Sequence, residues 1–161
     1  MGKGYGYKCK KCGHEYTALP GVGRMYPVIS RNILAEIADG VYGEEWKDLV
    51  QNTPYAAINA STFIYICNHC RRWEQGTDLT LYEPDDPDQV ANTLFWGKTD
   101  MDCIGVLPLG LRTEYHVLKR RYHMCEKCGR RMHKASAEEE QNLPCPKCGE
   151  PNKAEGTIMW D

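Results

Sequence analysis

Eight of the nine cysteines lie in four C-x-x-C pairs, and this pattern constrains the fold more than any other feature of the chain. We number these turns knuckle 1 to knuckle 4 in chain order: Cys9/Cys12, Cys67/Cys70, Cys125/Cys128 and Cys145/Cys148. Two residues between thiolates allow a tight turn to present both sulfurs to one ion, and two such turns complete a tetrahedral site of four sulfurs. The sequence therefore predicts two metal ions with all eight cysteines as ligands, and only Cys103 is left over.

The N-terminal sequence and the lack of long apolar stretches predict a cytoplasmic protein. Residues 1–10 contain no apolar run and no small-residue cleavage site, so no secretory signal is expected. The longest apolar stretch, residues 104–111, is far shorter than the roughly 20 residues needed to span a bilayer, and no membrane contact is predicted. In a reducing cytosol disulfides are disfavoured, and paired cysteines more often hold metal.

The sequence leaves the pairing of the knuckles open. Sixteen residues separate knuckles 3 and 4, which lies within the spacing of about 15 to 20 typical of a four-cysteine zinc site. This spacing favours sequential pairing, in which knuckle 1 joins knuckle 2 and knuckle 3 joins knuckle 4. The 54 residues between knuckles 1 and 2 are compatible with it if a helical insertion lies there, because loop-closure entropy grows only with the logarithm of length. A nested arrangement joining knuckles 1 and 4, and a cross-braced one, also predict two ions.

The residues around the knuckles resemble those of two kinds of small metal protein. The segment from Tyr7 to Tyr16, YKCKKCGHEY, resembles the opening knuckle of rubredoxins and of FmdB-type regulatory zinc ribbons. The C-terminal quartet, with C-E-K-C-G and C-P-K-C-G, looks like a zinc ribbon. Rubredoxins pair a C-x-x-C-G with a C-P-x-C-G, and the resemblance implies iron and electron transfer as an alternative to zinc. Sequential pairing places the C-P-K-C-G turn in the other site and therefore disfavours iron.

Closed four-sulfur sites indicate a structural metal and not a catalytic one. Four protein ligands leave no coordination position for a substrate. The sequence accordingly predicts two zinc ions as cofactors, with iron as the alternative, and a rubredoxin-like electron carrier as the corresponding alternative function.

The fold predicted from these patterns is α+β, with two zinc-ribbon-like antiparallel β units, the first carrying a helical insertion. Ser30 is the expected N-cap of a helix reaching Ile37, and residues 43–51 show the apolar spacing of a second helix. Residues 62–67 and 78–83 read as strands. The acidic, proline-rich stretch 83–88 suggests a linker. The predicted domains are residues 1–84, a linker and irregular segment 85–114, and a C-terminal ribbon 115–161.

The charge is segregated along the chain. The formal net charge of -2 excludes a uniformly basic nucleic-acid binder. Residues 116–134 nevertheless hold seven Lys and Arg against Glu126, and a rigid knuckle bearing cations can grip phosphates. The candidate nucleic-acid contacts are Lys119, Arg120, Arg121, Arg130, Arg131 and Lys134. The alternative is a solvated face that pairs with the acidic residues of segment 74–102. Trp73, after Arg71 and Arg72, could add a stacking group but is expected in the core.

No motif identifies an active site. The sequence contains no glycine-rich phosphate loop, no G-x-S-x-G elbow and no H-E-x-x-H helix. An enzyme with a site near residues 97–116, drawing on Cys103 and His116, is the remaining alternative. The predicted function is a non-enzymatic adaptor or regulatory module that contacts nucleic acid or a protein partner.

Overall fold

The computed structural model describes residues 2–92 and 106–160, which form nine strands and four α-helices. The strands are β1 (Gly2–Lys8), β2 (Glu15–Ala18), β3 (Ala57–Asn59), β4 (Thr62–Ile66), β5 (Trp73–Thr77), β6 (Thr80–Pro84), β7 (Tyr115–Arg120), β8 (His133–Lys134) and β9 (Gly156–Trp160). The helices are α1 (Tyr26–Ala38), α2 (Glu44–Asn52), α3 (Pro87–Asn92) and α4 (Pro108–Thr113). The strands form small antiparallel sheets, which confirms the predicted α+β class. Within the two described ranges, no helix has the length and apolar character needed to cross a bilayer.

The chain divides into two compact units, each assembled from separated segments. Unit 1 comprises Met1–Gly23, Ser61–Asp78 and Tyr122–Asp161, and unit 2 comprises Arg24–Ala60 and Leu79–Arg121. All four knuckles belong to unit 1. This division differs from the consecutive domains expected at 1–84, 85–114 and 115–161. Residues 83–88, expected to be a linker, include the end of β6 and the start of α3 within unit 2.

Unit 1 contains two three-stranded antiparallel sheets. In the first, β1 lies between β2 and β9, with Tyr7 opposite Tyr16. In the second, β4 lies between β5 and β8. One hydrophobic cluster contains Tyr7, Ile64 and Leu143, which are almost fully buried. The two sheets agree in number with the two antiparallel β units that the sequence predicts. Each sheet nevertheless takes strands from both predicted ranges, because β8 and β9 lie within residues 115–161.

Unit 2 is the helical insertion predicted between knuckles 1 and 2, completed by later strands. Helices α1 and α2 precede β3, which pairs with β6, and β6 pairs in turn with β7. The inner face of α1 carries Leu34 and Ile37, both almost fully buried. Their spacing of three residues places them on one side of the helix.

The start of α1 corrects the predicted N-cap. The helix begins at Tyr26, and Ser30 lies inside it with its hydroxyl donating to the Pro27 carbonyl at 3.1 Å. Proline is tolerated in the first helical turn, because the N–H it lacks has no intrahelical partner there. Pro27 therefore fits the first turn of the helix, which begins before the predicted cap.

Candidate metal centres

The four knuckles share one backbone turn. In each, the N–H of the residue after the second cysteine donates to the carbonyl of the first cysteine at 2.8 to 2.9 Å. The N–H of the first cysteine in turn donates to the carbonyl five residues later, again at 2.8 to 2.9 Å. These bonds close the turn from both sides. The cysteine spacing thus produces the same local geometry four times, whatever sheet the knuckle adjoins.

The residue after the second cysteine has left-handed backbone in every knuckle. It is Gly13, Gly129 or Gly149 in knuckles 1, 3 and 4, with φ of 70°, 66° and 75°. Knuckle 2 has Arg71 at this position, with φ of 60°. Glycine adopts this conformation without steric cost, whereas a residue with a Cβ pays about 1 kcal/mol or more. Arg71 is therefore the strained exception among four equivalent positions.

The knuckles come together in two groups of four sulfurs. Centre 1 consists of Cys9, Cys12, Cys145 and Cys148, and centre 2 consists of Cys67, Cys70, Cys125 and Cys128. Within each group the ligand atoms all lie within 4.8 Å of one another. Knuckle 1 thus joins knuckle 4, and knuckle 2 joins knuckle 3. This is the nested arrangement, so the sequential pairing favoured by the ribbon spacing is wrong.

Strand pairing explains the nested arrangement. Knuckle 1 follows β1, and knuckle 4 precedes β9, the strand paired directly with β1. Knuckle 2 follows β4, and knuckle 3 precedes β8, which pairs with β4. Each centre therefore lies at the end of one sheet, between turns that are remote in sequence. The spacing rule considered only loop length and not the partner strand of each knuckle.

The sulfur geometry fits a tetrahedral metal ion. Between knuckles, the Sγ–Sγ distances are 3.6 Å (Cys9–Cys148) and 3.7 Å (Cys12–Cys145) in centre 1. In centre 2 the two corresponding distances are both 3.5 Å. Sulfurs arranged tetrahedrally at 2.3 Å from zinc would be separated by about 3.8 Å. The eight residues therefore fit two metal ions, and four sulfurs are a donor set that suits zinc or iron.

Backbone N–H groups favour the thiolate form of the first cysteine in knuckles 1 and 2, whereas burial and the neighbouring thiols raise the pKa of Cys128 and Cys148. The Cys12 N–H is the largest influence on Cys9 and contributes to lowering the pKa of that thiol to about 7. The Cys70 N–H is likewise the largest influence on Cys67, whose pKa is lowered to about 6. A knuckle turn directs amide hydrogens at the first sulfur, and hydrogen bonds to the charged form stabilise it.

The two centres differ in exposure. In centre 1, Cys9 and Cys145 are buried while Cys12 and Cys148 are exposed. The second cysteine of each centre 2 knuckle is only half-buried. Centre 1 is thus the more accessible of the two to a competing ligand.

Aromatic side chains pack beside centre 1 and fix its surroundings. Tyr7 and Tyr16 stack with ring centroids 4.7 Å apart. The Tyr16 hydroxyl donates to the Leu143 carbonyl at 2.8 Å, and the Trp73 indole N–H donates to the Pro144 carbonyl at 2.8 Å. Both bonds hold the segment that leads into knuckle 4.

A buried carboxylate supports centre 2. Glu74, whose side chain is 8% exposed, accepts hydrogen bonds from His123 Nε2 at 3.0 Å and from the backbone N–H of Glu126 at 3.1 Å. Arg72 lies 3.4 Å from the same carboxylate, and the His123 ring stacks on Tyr65. The Glu126 N–H belongs to knuckle 3, so Glu74 holds the turn in place. Sequence analysis missed Glu74, although an acidic residue at an inward strand position is an available signal.

The basic residues expected to contact nucleic acid fall into both units. Lys119, Arg120 and Arg121 lie in unit 2, and Arg130, Arg131 and Lys134 lie in unit 1. Two of the six are engaged internally. Lys119 pairs with Glu45 and lies over the Trp46 ring, and Lys134 pairs with the buried Asp78 at 2.6 Å.

The remaining four cations are exposed. Arg121 lies over Tyr42, and the Arg131 guanidinium lies 3.4 Å from the centroid of the Tyr122 ring. Arg120 and Arg130 are exposed as well.

The residues of the alternative enzyme site are only partly described. Cys103, like Asp100 and Asp102, lies outside the described residues. His116 is exposed on β7 and faces two carboxylates, Asp85 at 2.7 Å and Glu83 at 3.4 Å. The Asp85 carboxylate raises the pKa of His116. These contacts form a surface ion-pair cluster.

Comparison with known proteins adds no family to this description, because no protein-family model, no curated protein and no solved structure matches the chain.

Proposed function

We propose that this chain is a zinc protein in which two structural ions, one in each centre, hold unit 1 folded. The observation that carries the proposal is the clustering of eight cysteines into two closed sets of four. A closed set fills every tetrahedral position with protein ligands, so such a metal acts on stability and not on a substrate. Metal binding contributes about 10–16 kcal/mol in small zinc peptides, which is comparable to the whole stability of a domain.

Native mass spectrometry of the full chain with and without a chelator tests this proposal. The expected mass excess equals two zinc ions, and chelation should unfold unit 1. The Cys145→Ser variant should keep one ion. The Cys103→Ser variant is the matched control and should keep both, because each centre already has four other cysteines. A chelated chain that retains its native circular dichroism spectrum would refute a structural role for the metal.

The second candidate is a protein with iron in centre 1, and the pairing of the knuckles supports it. Centre 1 joins a C-x-x-C-G turn to a C-P-x-C-G turn, which is the combination described above for rubredoxins. The nested pairing therefore removes the argument against iron that sequential pairing supplied. Elemental analysis and the visible spectrum distinguish the two. A colourless protein with zinc and no iron excludes the electron carrier, and a red protein with one iron per chain excludes the two-zinc proposal.

We further propose that the protein is a non-enzymatic adaptor or regulatory module of the cytoplasm that contacts nucleic acid. The support is the set of exposed cations on the cysteine-rich unit, Arg130 and Arg131 among them. Phosphate contacts release counterions, so affinity for DNA or RNA should fall steeply as salt rises. If the chain binds a protein with little salt dependence and does not bind DNA or RNA, the partner is a protein and not a nucleic acid.

A further inference from the structure

Arg71 has a left-handed backbone at a position where glycine would relieve the strain, and this outlier points to a use for its side chain. Three equivalent positions carry glycine, which fits the turn without strain. Strained positions persist where the side chain has a use, and they cluster at binding and catalytic sites. The knuckle turn itself gives no reason for arginine. We therefore consider what the side chain faces.

Arg71 lines a cleft of about 480 Å³ within unit 1, and this cleft reaches both metal centres. Cys70 of centre 2 and Cys145 of centre 1 contribute to its walls. Its cations are Arg71, Arg72 and Lys127. Clefts of about 300–1,000 Å³ are the size that holds a small molecule or one unit of a polymer.

Two of these three cations pair with no carboxylate in the part of the chain that the structure describes. Arg72 lies 3.4 Å from both Glu74 and Glu126. Across residues 2–92 and 106–160, no ion pair involves Arg71 or Lys127. Zinc on four thiolates carries a net charge of about −2, and neighbouring cations offset part of it. The knuckles of centre 2 contain one lysine, Lys127, so Arg71 also offsets part of the charge of that centre.

The cleft also offers flat apolar surfaces. Trp73 and the rings of Pro144 and Pro146 line it beside the cations. The bond from the Trp73 indole N–H to the Pro144 carbonyl, 2.8 Å long, fixes the orientation of the ring. Indole and guanidinium planes stack on nucleobases, and cations next to them bind the adjoining phosphate. The side chains of Asp and Glu have charges of the same sign but no aromatic ring for these surfaces.

We propose that this cleft binds one nucleotide unit of single-stranded nucleic acid. Arg71 and Lys127 contact the phosphate, and the base packs against Trp73. This assignment rests on the proposed function, since it requires filled centres and a role in nucleic-acid contact. It places the contact in a defined cleft that includes none of the six basic residues singled out from the sequence.

The test is fluorescence anisotropy of the zinc-loaded full chain with a labelled twelve-nucleotide oligothymidylate or oligouridylate. The Arg71→Gly variant should fold and keep two zinc ions, because glycine is the residue of the other three knuckles. It should bind the oligonucleotide at least tenfold more weakly, with a shallower salt dependence, as expected when one phosphate contact is lost. The Lys127→Ala variant should behave in the same way.

Lys147 provides a matched control. It occupies in knuckle 4 the position that Lys127 occupies in knuckle 3, but it is not among the residues that line the cleft. The Lys147→Ala variant should therefore bind like the unmodified protein. An oligonucleotide of abasic units should bind more weakly than oligothymidylate, because it lacks the base. A mononucleotide is tested as a competitor of the labelled strand. If it competes as well as the strand at equal nucleotide concentration, the cleft binds free nucleotides, and the proposal of a strand-binding site is overturned.

Three further outcomes overturn the assignment. Unchanged affinity in Arg71→Gly would show that this residue makes no contact. Equal binding of the abasic strand would remove the stacking contact. Binding of polyglutamate but not of oligonucleotide would identify an acidic protein partner instead. Native mass spectrometry of the same samples separates these failures from failure of the proposed function, which would appear as missing zinc.

Discussion

Replacing Glu74 with alanine should weaken centre 2 and leave centre 1 intact. The carboxylate is buried and accepts hydrogen bonds from His123 and from the backbone N–H of Glu126, inside knuckle 3. Truncation leaves both donors without their acceptor, and a buried unsatisfied donor costs about 1–3 kcal/mol. A loss of about 2 kcal/mol at the centre corresponds to about 30-fold weaker metal affinity. This lies within the range of about 10–100-fold measured for partners of metal ligands.

Chelator competition followed by native mass spectrometry measures the effect. The Glu74→Ala protein should pass through a species with one zinc ion, and alkylation before peptide mapping should label the four cysteines of centre 2 first. Glu15→Ala is the control, because Glu15 lies near knuckle 1 but is exposed and pairs with the exposed Lys8 at 2.9 Å. An exposed pair contributes about 0–1 kcal/mol, so this variant should release zinc normally. Equal release rates in the two variants would refute the supporting role of Glu74.

Three smaller perturbations test other parts of the account. Gly129→Ala should lower the free energy of unfolding, measured with urea, by about 1 kcal/mol, because its φ is +66° while its Cβ would meet no atom within 4 Å. An unchanged free energy of unfolding would contradict the strain argument. Gly76→Ala should lower the free energy of unfolding by about 1–3 kcal/mol, because its Cβ would lie 2.8 Å from His123 Cε1. An unchanged unfolding midpoint would contradict that packing. Asp85 raises the pKa of His116, so their contact stabilises the fold below the ordinary histidine pKa and is lost as pH rises through the raised value. The stability difference between the unmodified protein and His116→Gln should therefore be larger at pH 5.5 than at pH 8.5, and a difference independent of pH would contradict this linkage.

The parts of the molecule that local sequence determines were predictable. A C-x-x-C turn closes through hydrogen bonds within six residues, so the knuckles follow from spacing alone. The helical insertion before knuckle 2 was also predictable, because the apolar spacing of Leu34 and Ile37 is local.

The pairing of the knuckles depends on contacts that spacing does not encode. Centre 1 forms because β9 pairs with β1 from the opposite end of the chain, and centre 2 forms because β8 pairs with β4. Strand β8 has only two residues, and β9 is mostly exposed. Neither strand shows the alternation of buried and exposed residues that would indicate its partner from the sequence. Within the basic run of 116–134, Lys134 pairs with Asp78 of the acidic segment 74–102, which agrees with the alternative stated for this run. The partner of Lys119 is Glu45, which lies outside that segment and was not expected.

The central claim is the nested grouping of the eight cysteines, and cadmium NMR tests it most directly. The full chain loaded with ¹¹³Cd should give two cadmium resonances, each correlated with the β-protons of four cysteines. The structure predicts that one resonance correlates with Cys9, Cys12, Cys145 and Cys148, and the other with Cys67, Cys70, Cys125 and Cys128. A single resonance correlated with Cys125, Cys128, Cys145 and Cys148 would contradict the grouping, because it would join knuckles 3 and 4 at one ion.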